Sequence, residues 1–261
     1  MTWLLDCDGV VWVGDRAIRG AAQAVGALRA SGTRVVFLTN NSYPRRSEHL
    51  AKLERFGMAS DEADLLSSAM AVTRLVHEGE RALVLGGPGV LEELQACGVT
   101  TLNPYEDGDF SGVDVVVVGI NPAFDYRVLS VAATALQAGA RLVASNDDAT
   151  VPSPNGQLPG AGSLLAAVAC AGQATPEIAG KPYDATVALV RERVGPVEMV
   201  VGDRASTDGL LARRLGSPFA LVLSGVTGPD QGVPDPRPDV VAPDLADVVR
   251  GRLGNGSRGE R

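Results

Sequence analysis

Histidine and cysteine are scarce in this chain of 261 residues. There are two histidines, His49 and His77, so a metal site built from three histidines of one chain is excluded. The three cysteines are Cys7, Cys97 and Cys170, and none belongs to a C-x-x-C pair. Their spacing therefore indicates neither a zinc knuckle nor a redox pair, and it favours a protein of a reducing compartment.

Long apolar runs and surplus positive charge are lacking as well. The run Val115–Val118 is far too short to cross a bilayer, and the N-terminal segment meets an acid at Asp6 before any stretch that resembles a signal peptide. The formal net charge is −8. This charge argues against nucleic acid or an anionic membrane as the main partner, but not against a small anionic substrate that is bound locally. We therefore predict a cytoplasmic protein that binds neither nucleic acid nor a membrane.

Short apolar runs alternate with longer amphipathic runs along most of the chain. The predicted strands are Thr2–Leu5, Arg34–Leu38, Ala82–Leu85, Val113–Val118, Arg141–Ala144, Glu198–Val201, Phe219–Leu223 and Val240–Ala242. The predicted helices include Ala21–Ala30, Arg45–Phe56 and Ala185–Val194. Alternating strands and helices predict an α/β fold with a parallel sheet that is covered on both faces. The glycine-rich segment Gly251–Arg261 is expected to fray.

Polar residues follow three of the predicted strands directly. Asp6 and Asp8 follow the first strand, Thr39-Asn40-Asn41 follows the second, and Asp203 with Asp208 follows the strand at Glu198–Val201. Lys181 lies just before a predicted helix, and it is one of only two lysines, because 21 of the 23 basic residues are arginine. Ligands of open parallel sheets bind at the carboxyl ends of the strands, so these residues are expected to share one pocket.

The residue types in this pocket suit the chemistry of a phosphate ester. Carboxylates this close do not all ionise cheaply without a cation, and oxygen ligands favour Mg²⁺. The Lys181 ammonium is suited to neutralising part of a phosphate. One carboxylate can attack phosphorus, and a second carboxylic acid can protonate the leaving oxygen. Each segment alone is typical of an ordinary turn or helix cap, but the four together, in this order, favour a catalytic site.

The same segments resemble the four motifs of the haloacid dehalogenase superfamily. Within it, the chain is similar to the class IIA branch, which contains phosphatases of the p-nitrophenyl-phosphate, phosphoglycolate and pyridoxal-phosphate types. The resemblance extends from about Thr2 to about Asp247. It is carried by the segments Asp8–Trp12, Phe37–Ser42, Gly180–Pro182, Gly202–Asp208 and Val222–Val226.

The resemblance implies a role for each matching residue. Asp6 is the expected nucleophile, and Asp8 is the expected general acid and base, which also offers its backbone carbonyl to Mg²⁺. Asp203 is the expected further metal carboxylate. The phosphoryl oxygens are expected on Thr39, Asn40, Asn41 and Lys181. Asp208 is expected to orient Lys181 or metal-bound water.

The resemblance also implies that a second α/β unit, a cap, is inserted into a Rossmann-like core. By pattern, the core comprises residues 1–68 and 175–250, the cap comprises 69–174, and 251–261 form a polar tail. Asn146 and Asp147 of the cap are expected near the leaving group. Because caps of this type often mediate dimers in the family, the resemblance allows a homodimer.

The expected activity is therefore Mg²⁺-dependent hydrolysis of a phosphate monoester of a small metabolite through an aspartyl-phosphate. Candidate substrates are glycerol 3-phosphate, phosphoglycolate, a sugar phosphate and a nucleoside monophosphate. Asp8 and Asp203 disfavour hydrolytic dehalogenation, which needs the nucleophile but not the metal ligands. A phosphotransferase or mutase shares every motif and stays open, as does a non-catalytic protein that binds a phosphorylated ligand.

Overall fold

The computed structural model describes residues 1–106, 108–153, 156–228 and 234–256. The strands are β1 (Thr2–Asp6), β2 (Trp12–Val13), β3 (Arg16–Ala17), β4 (Arg34–Thr39), β5 (Leu65–Ser67), β6 (Arg81–Leu85), β7 (Thr100–Leu102), β8 (Val115–Val118), β9 (Arg141–Ala144), β10 (Thr150–Ser153), β11 (Gly156–Pro159), β12 (Glu177–Ile178), β13 (Met199–Gly202), β14 (Phe219–Val222) and β15 (Val240–Ala242). The α-helices are α1 (Ala21–Ala30), α2 (Arg46–Arg55), α3 (Ser68–Val72), α4 (Pro88–Ala96), α5 (Tyr126–Gln137), α6 (Ala161–Gly172), α7 (Asp184–Arg193), α8 (Leu210–Leu215) and α9 (Leu245–Gly256).

Six parallel strands form the first sheet, in the order β15-β14-β13-β1-β4-β5. The central strands are apolar on both faces: Leu4 and Leu5 of β1 point to opposite sides and are both buried, and Val36 and Phe37 of β4 do the same. Leu4 and Val36 pack in one hydrophobic cluster, and Leu5 and Phe37 pack in another. A strand whose two faces both lie in a core is typical of an α/β sheet, which is why its sequence shows a continuous apolar run.

Five further parallel strands form a second sheet, in the order β12-β9-β8-β6-β7. All four residues of β8 are fully buried, and α5 and α6 pack beside them. In the chain, this sheet is formed between β5 and α7. The predicted α/β class and the Rossmann-like parallel sheet are therefore confirmed.

The predicted elements agree closely with the observed ones in the first sheet. Helix α1 has the predicted bounds, and α2 and α7 differ from theirs by one residue at each end. Helix α9 continues to Gly256, into the segment that was expected to fray, and the fraying itself stays a prediction. Val248 and Val249 are buried in the core beside the first sheet and hold the part of α9 that precedes Gly251. Residues 257–261 of the predicted tail lie outside the described residues.

The division into residues 1–68, 69–174 and 175–250 stays a prediction. Strand β12 pairs with β9 of the second sheet, although it lies beyond residue 174. Among the described residues, no helix combines the length and the apolar character that crossing a membrane requires. The expected cytoplasmic location and the homodimer also stay predictions.

Candidate active site

The carboxyl ends of β13, β1 and β4 lie side by side, because these three strands are neighbours in the first sheet. A cavity of about 290 Å³ opens there between the two sheets. Eight of the residues expected in the site line it: Asp6, Asp8, Thr39, Asn40, Asn41, Asn146, Lys181 and Asp203. The chain thus brings together, from segments far apart in sequence, the carboxylates, the hydroxyl, the amides and the lysine that the motifs predicted.

Asp6, the last residue of β1, directs one of its carboxylate oxygens to two donors. Its Oδ1 lies 2.7 Å from Lys181 Nζ and accepts the backbone N–H of Cys7 at 2.7 Å. No hydrogen bond to Oδ2 is formed within the part of the chain that the structure describes. Burial raises the pKa of Asp6 well above its usual range, and it outweighs the lowering by Lys181. The arrangement fixes the carboxylate at one oxygen and leaves the other available for reaction.

Lys181 lies between two carboxylates and is almost fully buried, at 2% exposure. Its Nζ is 2.7 Å from Asp6 Oδ1 and donates to Asp208 Oδ1 at 2.7 Å. Burial lowers the pKa of Lys181, but Asp208 and Asp6 raise it by more, so the ammonium stays charged. Asp208 is not among the residues that line the cavity; it contacts Lys181, and its role in orienting Lys181 stays a prediction.

Asp8 is held by an aromatic side chain rather than by a cation. Its Oδ1 accepts the indole N–H of Trp12 at 3.0 Å. The Lys52 ammonium lies over the Trp12 ring, 4.4 Å from its centre. Burial raises the pKa of Asp8, and Lys52 and Trp12 oppose the shift. A carboxyl group with a raised pKa can hold a proton for a leaving oxygen.

Two glycines form a tight fit around Asp203. Gly9 has a φ of 83°, which favours glycine, and a β-carbon added at Gly9 or Gly225 would collide with the Asp203 carboxylate. Asp203 Oδ2 accepts the backbone N–H of Val226 at 2.6 Å. Burial, followed by the charge of Asp208, raises the pKa of Asp203 to about 6. The glycines of both segments are thus explained by the space that this carboxylate needs.

The donors at this point fit a divalent cation. One carboxylate oxygen each from Asp6, Asp203 and Asp208 lies within 4.8 Å of the others. Both oxygens of Asp208 accept hydrogen bonds, Oδ1 from Lys181 and Oδ2 from the backbone N–H of Arg204, so Asp6 and Asp203 are the carboxylates better placed to bind an ion. Oxygen-only donors suit Mg²⁺, which takes one or two carboxylates and completes its shell with water and phosphate. The carboxylate of Asp8 faces Trp12, and the use of its backbone carbonyl stays a prediction.

The segment after β4 connects the Lys181 end of the cavity to the second sheet. Thr39 Oγ1 accepts the backbone N–H of Asn41 at 3.0 Å. The side chain of Asn40 accepts from the backbone N–H of Lys181 at 2.8 Å and donates to Asp148 Oδ2 at 3.0 Å. Asn40 therefore positions Lys181 and Asp148, so its side-chain amide is engaged within the protein.

The two cap residues expected at the site lie in different places. Asn146 lines the cavity and donates to the backbone carbonyl of Asn40 at 2.7 Å. Asp147 is exposed, accepts from the Tyr183 hydroxyl at 2.5 Å and is not among the cavity-lining residues. The carboxylate that lines the cavity from this loop belongs to Asp148. Sequence reasoning missed Asp148 by one position, because a loop has no periodicity that shows which side chain points inward.

His49 contacts the segment after β4, and its burial predicts that the stability of the fold depends on pH in the acid range. Its Nε2 lies 3.1 Å from the carbonyl oxygen of Asn41, and burial lowers the pKa of His49 from 6.5 to about 4. Since the unfolded chain binds the proton more tightly, stability falls as the pH falls from about 6.5 towards 4. The free energy of unfolding of the wild type, relative to that of His49→Gln, should decrease by about 3 kcal/mol from pH 7 to pH 4. Urea unfolding at several pH values measures it, and parallel pH curves for the two proteins would contradict it.

Comparison with known proteins gives the family of the chain. The model of haloacid dehalogenase-like hydrolases matches residues 3–100, and a second model of the same kind of hydrolase matches residues 178–248. The chain is 34% identical over 251 residues to phosphoglycolate phosphatase 2 of Arabidopsis thaliana, with 87% of this chain and 83% of that protein covered. The chain belongs to the haloacid dehalogenase-like hydrolases. The predicted superfamily is thereby confirmed.

Two further relatives of this hydrolase carry the name of another small substrate. Human glycerol-3-phosphate phosphatase is 37% identical over 255 residues, which cover 87% of this chain and 79% of that protein. The crystal structure of the glycerol phosphate phosphatase of Mycobacterium tuberculosis in complex with magnesium matches with a TM-score of 0.84 and 33% identity. That match covers 94% of this chain and 74% of the other. Relatives named as phosphatases are what the class IIA resemblance predicted.

Proposed function

We propose that this hydrolase cleaves phosphate monoesters of small metabolites, with Mg²⁺ as cofactor and through an aspartyl-phosphate. The chain is a phosphatase, as its relatives are, and glycerol 3-phosphate and phosphoglycolate define the class of substrate. The observation that carries the mechanism is the buried triad of Asp6, Lys181 and Asp208, in which one cation fixes one oxygen of Asp6. The other oxygen is free to attack phosphorus.

The proposed reaction assigns one step to each of these groups. Asp6 Oδ2 attacks phosphorus and the ester bond breaks, while Asp8 gives its proton to the leaving oxygen. Asp8, now ionised, then takes a proton from water, whose oxygen attacks the phosphorus of the aspartyl-phosphate and frees Asp6. The Lys181 ammonium neutralises part of the negative charge on the phosphoryl oxygens. The backbone and hydroxyl of the Thr39 segment complete the phosphate site.

Asp6 and Asp203 would hold Mg²⁺ at the edge of the first sheet. When bound, the ion supplies positive charge that lowers the cost of the negative charge on the transferring phosphoryl group. The protein contributes the orientation: Val226 and the two glycines fix Asp203, and Lys181 with the Cys7 amide fixes Asp6. Phosphate-monoester hydrolysis is among the slowest uncatalysed reactions, so all of these effects are needed together.

A screen of phosphorylated metabolites with Mg²⁺, read out as released inorganic phosphate, tests the proposed activity. Release from p-nitrophenyl phosphate and from at least one small metabolite is expected. EDTA should stop it, and excess Mg²⁺ should restore it. No release from any compound would contradict the proposed function, and full release in EDTA would contradict the role of the metal.

Asp203→Asn should weaken the apparent affinity for Mg²⁺ by at least about 100-fold, because loss of residues that merely support metal ligands already costs about 10- to 100-fold. Titration of activity against Mg²⁺, together with calorimetric binding of Mg²⁺ to the free protein, measures the change. Asp61→Asn makes the same change of charge at an exposed position and should leave both curves unchanged. Equal Mg²⁺ affinity in Asp203→Asn and wild type would remove Asp203 from the metal site.

A further inference from the structure

A carboxylate and a guanidinium that the proposed reaction does not use face each other in the cavity. Asp148 comes from the loop after β9 in the second sheet, and Arg204 follows Asp203 at the end of β13 in the first. Both line the cavity. Arg204 Nη1 lies 3.9 Å from Asp148 Oδ1, which is beyond hydrogen-bonding distance. Asp148 thus presents a hydrogen-bond acceptor to the cavity and Arg204 presents a donor, and the two side chains are not hydrogen-bonded to each other.

The protein fixes both members of this pair. Asp148 Oδ2 accepts from Asn40 Nδ2 at 3.0 Å, which leaves Oδ1 on the Arg204 side. The backbone N–H of Arg204 donates to Asp208 Oδ2 at 3.2 Å, and its Nη2 makes one long contact of 3.5 Å with the carbonyl of Thr150. The same Asn40 side chain accepts from the backbone N–H of Lys181. The Asn40 side chain therefore connects Asp148 directly to Lys181.

The other charges of the lining do not favour an anionic leaving group. Apart from the catalytic residues, the cavity is lined by two acids, Asp15 and Asp148, and two bases, Lys52 and Arg204. Lys52 is directed to the ring of Trp12. A hydroxyl group donates one hydrogen bond and accepts others, so it matches a carboxylate beside a guanidinium. A carboxylate at the same place would meet the negative charge of Asp148.

We infer that Asp148 and Arg204 bind a hydroxyl of the leaving group, so that the enzyme prefers the phosphate monoester of a short polyol to that of a small carboxylic acid. This inference rests on the proposed phosphatase function. Asp148 is the discriminating residue, because its charge attracts a hydroxyl donor and repels a carboxylate. Arg204 binds either group and does not distinguish between them.

Asp148→Asn tests the inference with three substrates: glycerol 3-phosphate, phosphoglycolate and p-nitrophenyl phosphate. The wild type should have the higher kcat/KM for glycerol 3-phosphate. In Asp148→Asn, the ratio of kcat/KM for glycerol 3-phosphate to that for phosphoglycolate should fall at least tenfold. Turnover of p-nitrophenyl phosphate, whose leaving group has neither a hydroxyl nor a carboxylate, reports any loss that is common to all substrates, and such a loss cancels in the ratio. Arg204→Gln should lower kcat/KM for both metabolites.

Glu177→Gln is the matched control, since it removes an exposed carboxylate from β12 of the same sheet and should leave the ratio unchanged. A wild type that prefers phosphoglycolate would overturn the inference, and so would an unchanged ratio in Asp148→Asn. Either result, with p-nitrophenyl phosphate still cleaved, would contradict the discrimination alone. Failure of the wild type to cleave any of the three compounds would contradict the proposed function and, with it, this inference.

Discussion

Asp6→Asn should lower kcat for p-nitrophenyl phosphate by on the order of 10⁴-fold or more, as removal of a covalent nucleophile does in other enzymes. The amide has the size of the carboxylate and can still accept from Lys181 and from the Cys7 amide. It lacks the negative charge and the second carboxylate oxygen that would bond to phosphorus. The variant should therefore be folded, bind the phosphate ester and form no covalent intermediate.

Two measurements make this result specific. In the wild type, brief reaction followed by acid quenching should trap a phosphorylated peptide that contains Asp6, and mass spectrometry of Asp6→Asn should show no such adduct. Chemical unfolding should show a cooperative transition in both proteins, which separates lost chemistry from lost folding. Turnover of Asp6→Asn within about tenfold of wild type would contradict the nucleophile assignment, given the cost seen for catalytic groups elsewhere.

The sequence predicts the phosphate end of this site well because that end depends on strand order alone. Asp6 and Thr39 are the last residues of parallel strands, and Asp203 directly follows a third. Parallel strands that are neighbours in a sheet place their carboxyl ends at one edge, so apolar runs and the residues after them suffice. Lys181 was recognisable by its chemistry, since arginine stands at nearly every other basic position.

The leaving-group end was less predictable because it depends on contacts between the two sheets. Asp148 is separated from Asn40 by 108 positions, and Arg204 from Thr150 by 54, and no periodicity connects such residues. The prediction placed Asp147 at the site, whereas Asp147 accepts from the Tyr183 hydroxyl and the neighbouring Asp148 lines the cavity. Helix α9 was not among the predicted helices; its apolar residues Leu245, Val248 and Val249 pack in the core, although the glycines near its end are poor helix formers.

Lys181→Met should lower kcat/KM by roughly 10²- to 10³-fold, as loss of one preorganised charge in a transition-state site does. It should also lower the free energy of unfolding by about 3–5 kcal/mol, because it leaves partners of a buried ion pair uncompensated. The carboxylates of Asp6 and Asp208 would then share a buried site without their common cation. Enzyme kinetics and urea unfolding measure the two effects separately.

The pH dependence distinguishes this electrostatic role from simple packing. Without Lys181, the pKa of Asp6, already raised by burial, should rise further, so that the folded variant binds protons more readily than the unfolded chain. Its stability should therefore increase, relative to wild type, as the pH falls from 8 to about 5, and level off near the ordinary carboxylate pKa of about 4. Lys181→Arg keeps the charge and should recover part of the stability, but its planar fork does not replace a compact ammonium between two carboxylates, so its activity should stay low. A constant stability difference between Lys181→Met and wild type across this pH range would show that Lys181 contributes by packing and not by charge.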